Sequence, residues 1–89
     1  MNVICSKLYE EQLKEILEPM AKENFEDTKK FKIYLDTILI NIPTKAKKYK
    51  KSIYFDDENI KDVEYEDYTI VFYLDEENET YAILSILKK

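Results

Sequence analysis

The most concentrated chemical feature of the chain is a basic connector: Lys45, Lys47, Lys48, Lys50 and Lys51 fall within residues 44–51, interleaved with Tyr49 and followed by Tyr54. Ammonium groups meet phosphates and phenol rings stack on bases, so this composition suits single-stranded RNA. It suits a solvated connector equally well, and residue types alone leave both readings open. Lys61 is the second feature. Ile60, Asp62 and Val63 surround it in a strand-like alternation, and a cation on a rigid strand can be aimed at a phosphate. A lysine that protects a sheet edge reads the same way.

Other chemistries are excluded by what the chain lacks. There is no His, every one of the 14 basic residues is Lys, and Cys5 is the single cysteine. A Cys/His zinc site, a disulfide framework and a His-centred triad or base are therefore ruled out. The absence of Gly removes P-loops and dinucleotide fingerprints, which need Gly for close backbone approach. It also leaves Asn and Asp as the expected carriers of any positive φ. The acidic pair Asp56 and Asp57 lacks the Gly and the spaced ligands of a calcium loop and reads as a solvated turn. No metal and no cofactor are expected. Tyr65, Tyr68, Tyr73 and Tyr81 read as amphipathic sheet packing, and Cys5 as a small, buried, reduced side chain. A formal charge of −5 opposes indiscriminate attraction to phosphate, so any nucleic-acid contact must be local.

The elements that position these residues follow from length and periodicity. A chain of 89 residues buries only about 60 to 65 % of its unfolded surface and has one core, so residues 1–89 form one domain. Hydrophobic residues at 45 % suffice for that core. No apolar run reaches the roughly 18 residues of a membrane span, and the first residues are too weakly basic for a secretory signal, so a cytoplasmic location is expected. Val3 and Ile4 mark a first strand over residues 2–5. Leu8, Leu13, Ile16, Leu17, Met20 and Ala21 form the stripe of a first helix, with a kink expected from Pro19. Asn24, Asp27 and Thr28 are cap-type residues, after which Phe31, Tyr34, Leu35, Ile38 and Leu39 repeat the helical spacing until Pro43 stops it. A short extended piece is expected at 52–55. Strands follow at 60–65, 68–74 and 80–87, separated by the hairpin-length breaks 66–67 and 75–78, which makes an antiparallel meander. The fold class is α+β: a helix hairpin packed on a small antiparallel sheet, in the order β-α-α-β-β-β.

That order, with Tyr9-Glu10-Glu11-Gln12-Leu13 opening the first helix, Pro43 closing the second, Ile60-Lys61-Asp62-Val63 on one strand and Tyr68-Thr69-Ile70-Val71-Phe72-Tyr73 on the next, resembles the RelE/ParE toxin superfamily over nearly the whole chain. The stretch 48–62 is the most specific part, and is similar to a subgroup in which Arg commonly stands where this chain has Lys50 and Lys61. The resemblance implies a single RelE/ParE-like domain, the toxin of a bacterial type II toxin-antitoxin pair, neutralised by a cognate antitoxin whose C-terminal segment wraps it. It implies one of two targets: messenger RNA in the ribosome, cut without a metal by RelE-like members, or DNA gyrase, inhibited by ParE-like members. For an RNA-cutting member, a 2′-hydroxyl attacks the adjacent phosphate while cations offset the developing charge. Lys50 and Lys61 then match the catalytic cations, and Lys45, Lys47, Lys48, Tyr49, Lys51 and Tyr54 the RNA-binding residues. Thr69 stands where RelE-like ribonucleases usually have a basic residue, and the tail ends Leu87-Lys88-Lys89 without the Arg, Tyr or His they carry there. Lys cannot clamp phosphate bidentately as Arg does. A non-catalytic interaction module on the same scaffold is the alternative.

Overall fold

The computed structural model describes residues 2–89. The elements run β1 (Asn2–Cys5), α1 (Lys7–Glu23), α2 (Phe25–Lys45), a 3-10 turn (Ala46–Lys48), β2 (Ile60–Tyr65), β3 (Tyr68–Asp75) and β4 (Thr80–Lys88), in the β-α-α-β-β-β order expected.

Capping places the helices. Ser6 Oγ accepts from the Tyr9 amide at 3.0 Å and donates to the Leu84 carbonyl at 2.7 Å, so one hydroxyl both starts α1 and ties that start to β4. Asn24 ends α1, its amide donating to the Met20 carbonyl, and begins α2, its side chain accepting from the Asp27 amide at 3.1 Å. This shared cap satisfies orphan groups on both helices and leaves a one-residue joint. α1 runs through Pro19 to Glu23. α2 does not stop at Pro43 as expected but continues to Lys45, and the chain keeps helical curvature to Lys48. Proline takes away one donor and crowds the preceding turn, but its φ is helical, so the two residues beyond it still fit.

The sheet order is β1-β4-β3-β2. β2, β3 and β4 form the antiparallel meander, whereas β1 pairs parallel to β4, Asn2 beside Thr80 and Cys5 beside Ile83. The sheet is thus mixed, correcting the antiparallel expectation. A register shift between Val71 and Phe72 marks a bulge in the β3–β4 ladder. Positive φ occurs at Glu66 (53°) and Glu79 (50°), and not at Asn or Asp. The two-residue hairpin 66–67 imposes that region on whichever residue occupies its first position, at about 1–2 kcal/mol for a side chain with a Cβ.

The helices cover one face of the sheet. Tyr9 and Leu13 of α1, with Leu35, Leu39 and Ile42 of α2, meet Val63, Ile70, Phe72, Tyr81, Ile83 and Ile86. Leu35, Ile42, Ile70, Phe72 and Ile83 lose all accessibility, each worth about 1.5–3 kcal/mol. Tyr9 replaces Leu8 on the α1 stripe: Leu8 is 55 % exposed and Tyr9 2 %. Gln12 Oε1 accepts from the Ile86 amide at 2.9 Å, pinning α1 beyond the bulge.

Candidate functional site

Paired residues in an antiparallel ladder point to the same face, and alternate residues to opposite faces. Lys61 pairs with Phe72 and is in step with Val63 and Tyr65, so β2 turns it toward the helix layer. There its Nζ donates to the Ala46 carbonyl at 3.1 Å, while the Tyr65 hydroxyl donates to the Phe31 carbonyl at 3.0 Å. Two polar tips on one strand thus hold α2 near its start and just past its end. An ammonium is well placed at a helix C-terminus, where carbonyls carry partial negative charge.

The basic connector takes a different course. Lys45 ends α2, Lys47 and Lys48 lie in the 3-10 turn, and all three are exposed. Residues 50–52 then run along the outer edge of β2: the Ser52 amide donates to the Ile60 carbonyl at 2.7 Å, the Asp62 amide donates to the Lys50 carbonyl at 3.2 Å, and Lys51 bridges to Lys61. The extended piece expected at 52–55 is therefore shifted toward the N-terminus. Ile53, Tyr54 and Phe55 lie outside any strand and are exposed. The connector shields this edge of β2, so Lys61 has no edge to protect.

Two hollows flank β2. Lys48, Tyr49, Lys50 and Lys51 line one of about 420 Å³ together with Asp62, Glu64 and Thr69. Lys47 and Lys61 line another, of about 470 Å³, with Glu76, Glu79 and Tyr81. The two candidate catalytic cations, Lys50 and Lys61, thus face different hollows, and carboxylates line both. Asp62 Oδ2 accepts from the Ile53 amide at 3.0 Å, while its Oδ1 is buried without a partner among the described residues. Sequence reasoning did not single out Asp62 and Glu64 as site residues. The signal was their alternation, opposite in phase to Lys61.

The remaining candidates divide by partner. Lys51 Nζ lies 2.8 Å from Asp56 and 3.7 Å from Glu58, and the hydrogen bond to Asp56 chiefly pushes its ammonium pKa up. Among the described residues, Lys45, Lys47, Lys48 and Lys50 make no ion pair. Tyr49 is partly buried and packs edge-on against Phe72, ring centroids 5.8 Å apart, which engages one side of the ring expected to stack on a base. Tyr54 is 45 % exposed, its amide donating to Ser52 Oγ.

A further hollow, of about 360 Å³, opens between β1, α1 and α2, lined by Cys5, Tyr9, Leu13, Leu17, Lys32, Asp36 and Leu39 among others. Cys5, expected to be buried, is an exposed free thiol because β1 is an edge strand. Partial shielding first, then Glu10 and Asp36, push its pKa up. The Tyr9 phenol is buried and its oxygen has no hydrogen-bond partner among the described residues. Among the described residues, no group of three or more Cys, Asp or Glu is placed to hold a metal ion, and no helix is long and apolar enough to cross a membrane.

No curated protein matches the chain. Residues 3–89 match the family model described as the ParE toxin of the type II toxin-antitoxin system, parDE. That match takes in all but the first residue of β1, every later element, both hollows beside β2 and the groove over Tyr9, and the chain therefore belongs to the ParE toxin family of type II toxin-antitoxin systems.

Proposed function

We propose that this toxin acts by binding, with DNA gyrase as its target in the cytoplasm and a cognate antitoxin as its neutralising partner, and that it does not cut RNA. The observation behind this reading is the separation of Lys50 from Lys61. Stabilising a phosphate undergoing attack requires cations that converge on one point, beside a group that moves a proton. Here Lys61 is spent on the Ala46 carbonyl, Lys50 faces another hollow, and Asp62 and Glu64 line the hollow with Lys50. Membership in the ParE family supports the same reading. No metal or cofactor enters it.

A second reading, messenger RNA cleavage, rests on the four exposed lysines that make no ion pair. Induced expression in a bacterial host separates the two. Growth should stop, and co-expression of the antitoxin should restore it. Plasmid supercoiling gels and messenger 5′ ends are then compared in the same cells. Relaxed or linearised plasmid with intact messages is the expected result. New cleavage sites within translated codons, with plasmid topology unchanged, would overturn the reading. Full soluble expression without any growth defect would instead favour a non-catalytic interaction module.

A further inference from the structure

Binding to gyrase leaves the basic connector without a task. Residues 45–58 hold five Lys against three acidic residues, so this segment is positive while the rest of the chain carries the acidic excess behind the net charge of −5. The acids of the segment are occupied. Lys51 Nζ lies 2.8 Å from Asp56 and 3.7 Å from Glu58, and Asp57 accepts from the Asn59 amide at 2.8 Å.

In the hollow shared by Lys48, Lys50 and Ile53, the two carboxylates are engaged as well. Asp62 accepts from the Ile53 amide, and Glu64 lies 3.6 Å from Lys89 Nζ. Lys48 and Lys50 are exposed and make no ion pair among the described residues. Ile53 stands beside them 84 % exposed, its backbone fixed by Asp62. Two free ammonium groups next to a fixed, exposed aliphatic side chain match a DNA-contacting surface, where cations meet backbone phosphates and an apolar residue meets sugars and base steps. A phosphate that is held and not attacked needs a countercharge and no proton transfer, so the separation of Lys50 from Lys61 is no obstacle to this role. The acidic remainder of the chain opposes capture of free DNA. The contact therefore calls for DNA that another protein has already brought to the surface.

We propose that Lys48 and Lys50 hold backbone phosphates of the duplex DNA bound by gyrase, with Ile53 as the apolar contact beside them, so that the toxin recognises the enzyme–DNA complex over the enzyme alone. The inference rests on the gyrase target proposed above and adds the DNA as a second contact.

The test measures binding of the full-length toxin to purified gyrase, with and without a bound linear duplex, at salt concentrations where the duplex stays bound. DNA-bound gyrase should bind the toxin more tightly, and log affinity should fall more steeply with log salt by about 1.8, at roughly 0.9 for each of two phosphates. Between about 50 and 200 mM salt that is an additional loss of roughly 12-fold. A Lys48→Gln, Lys50→Gln double variant should bring both slope and affinity down to the DNA-free values while leaving DNA-free binding unchanged. Ile53→Asp should weaken the DNA-bound complex alone and, at so exposed a position, melt like the parent. A Lys22→Gln, Lys30→Gln double variant, with the same change of charge at exposed helix positions, should keep the gain from DNA. Equal affinity of the parent toxin for gyrase with and without DNA overturns the proposal and leaves the gyrase target standing. So does a Lys48→Gln, Lys50→Gln variant weakened equally in both states, which would assign these lysines to the gyrase protein. Binding of single-stranded RNA through the same lysines, with no gain from gyrase-bound duplex, overturns it in favour of the messenger reading. A toxin that binds gyrase in neither state removes the target and this inference with it.

Discussion

Replacing Lys61 with Met decides between an anchoring and a chemical role for that residue. The substitution keeps most of the apolar stem and removes the ammonium that donates to the Ala46 carbonyl at 3.1 Å. A hydrogen bond from a charged donor is worth about 1.5–3 kcal/mol. The Ala46 carbonyl, however, also accepts from the Tyr49 amide at 3.3 Å, so it is not left unpaired. Lys61 is also only partly buried, which moves the expected cost to about 1 kcal/mol. For a domain of this size that lowers the melting temperature by about 4–8 °C. Thermal unfolding followed by circular dichroism measures the shift, with Lys50→Gln as the exposed control that should leave it unchanged. Toxicity should persist in Lys61→Met at temperatures below its melt. A Lys61→Met toxin that melts like the parent and yet no longer arrests growth would refute the anchoring argument and return Lys61 to the reacting phosphate.

Two further outcomes follow from the charged groups. Asn78 donates to Asp75 twice, from its side chain at 2.8 Å and its backbone at 3.2 Å, holding that carboxyl below its ordinary 3.8. A folded value below the unfolded one gives stability present above pH 3.8 and lost as pH falls through the folded value. An NMR titration of Asp75 should show a depressed midpoint that rises toward 3.8 in Asn78→Ala, and an unmoved midpoint would contradict the hydrogen-bond account. With Lys51 held by Asp56 and Glu58, single-stranded RNA can engage only Lys45, Lys47, Lys48 and Lys50 of the connector. The slope of log affinity against log salt should then be no steeper than about −2.8, at roughly −0.7 per neutralised phosphate. A parent slope of about −3.5, unchanged in an Asp56→Ala, Glu58→Ala double variant, would show that the clamp on Lys51 does not operate.

The helices and the meander were legible in the sequence because their signals are local. Alternation from Ile60 to Tyr65 and the break at 66–67 give β2 and its hairpin directly. The parallel pairing of β1 was not legible, since four residues carry no periodicity that names a partner distant in the chain. Cys5 was misplaced for the same reason: its exposure depends on β1 taking the edge of the sheet. The face of Lys61 could have been read, because Val63 and Tyr65 share its phase and both pack against the core. A cluster of lysines drew attention to charge type, whereas the structure sorts those lysines by which side of β2 they reach. Tyr9 belongs to the motif that opens the first helix, but only packing reveals that its hydroxyl is unpaired among the described residues.

The Ser6 hydroxyl that starts α1 donates to the Leu84 carbonyl, 78 residues further along the chain, and among the described residues every ladder contact of β1 is to β4. During synthesis at about 5–20 residues per second, the first strand therefore waits roughly 4–16 s for its neighbour to be made. A nascent toxin has a helix hairpin early and a complete sheet only late. Throughout that interval the groove over Tyr9 lacks its finished β1 wall, so a ribosome stalled before residue 80 carries an unassembled toxin. Translation itself thus gates the appearance of the folded protein, and an antitoxin that recognises the folded toxin meets its target only after that delay.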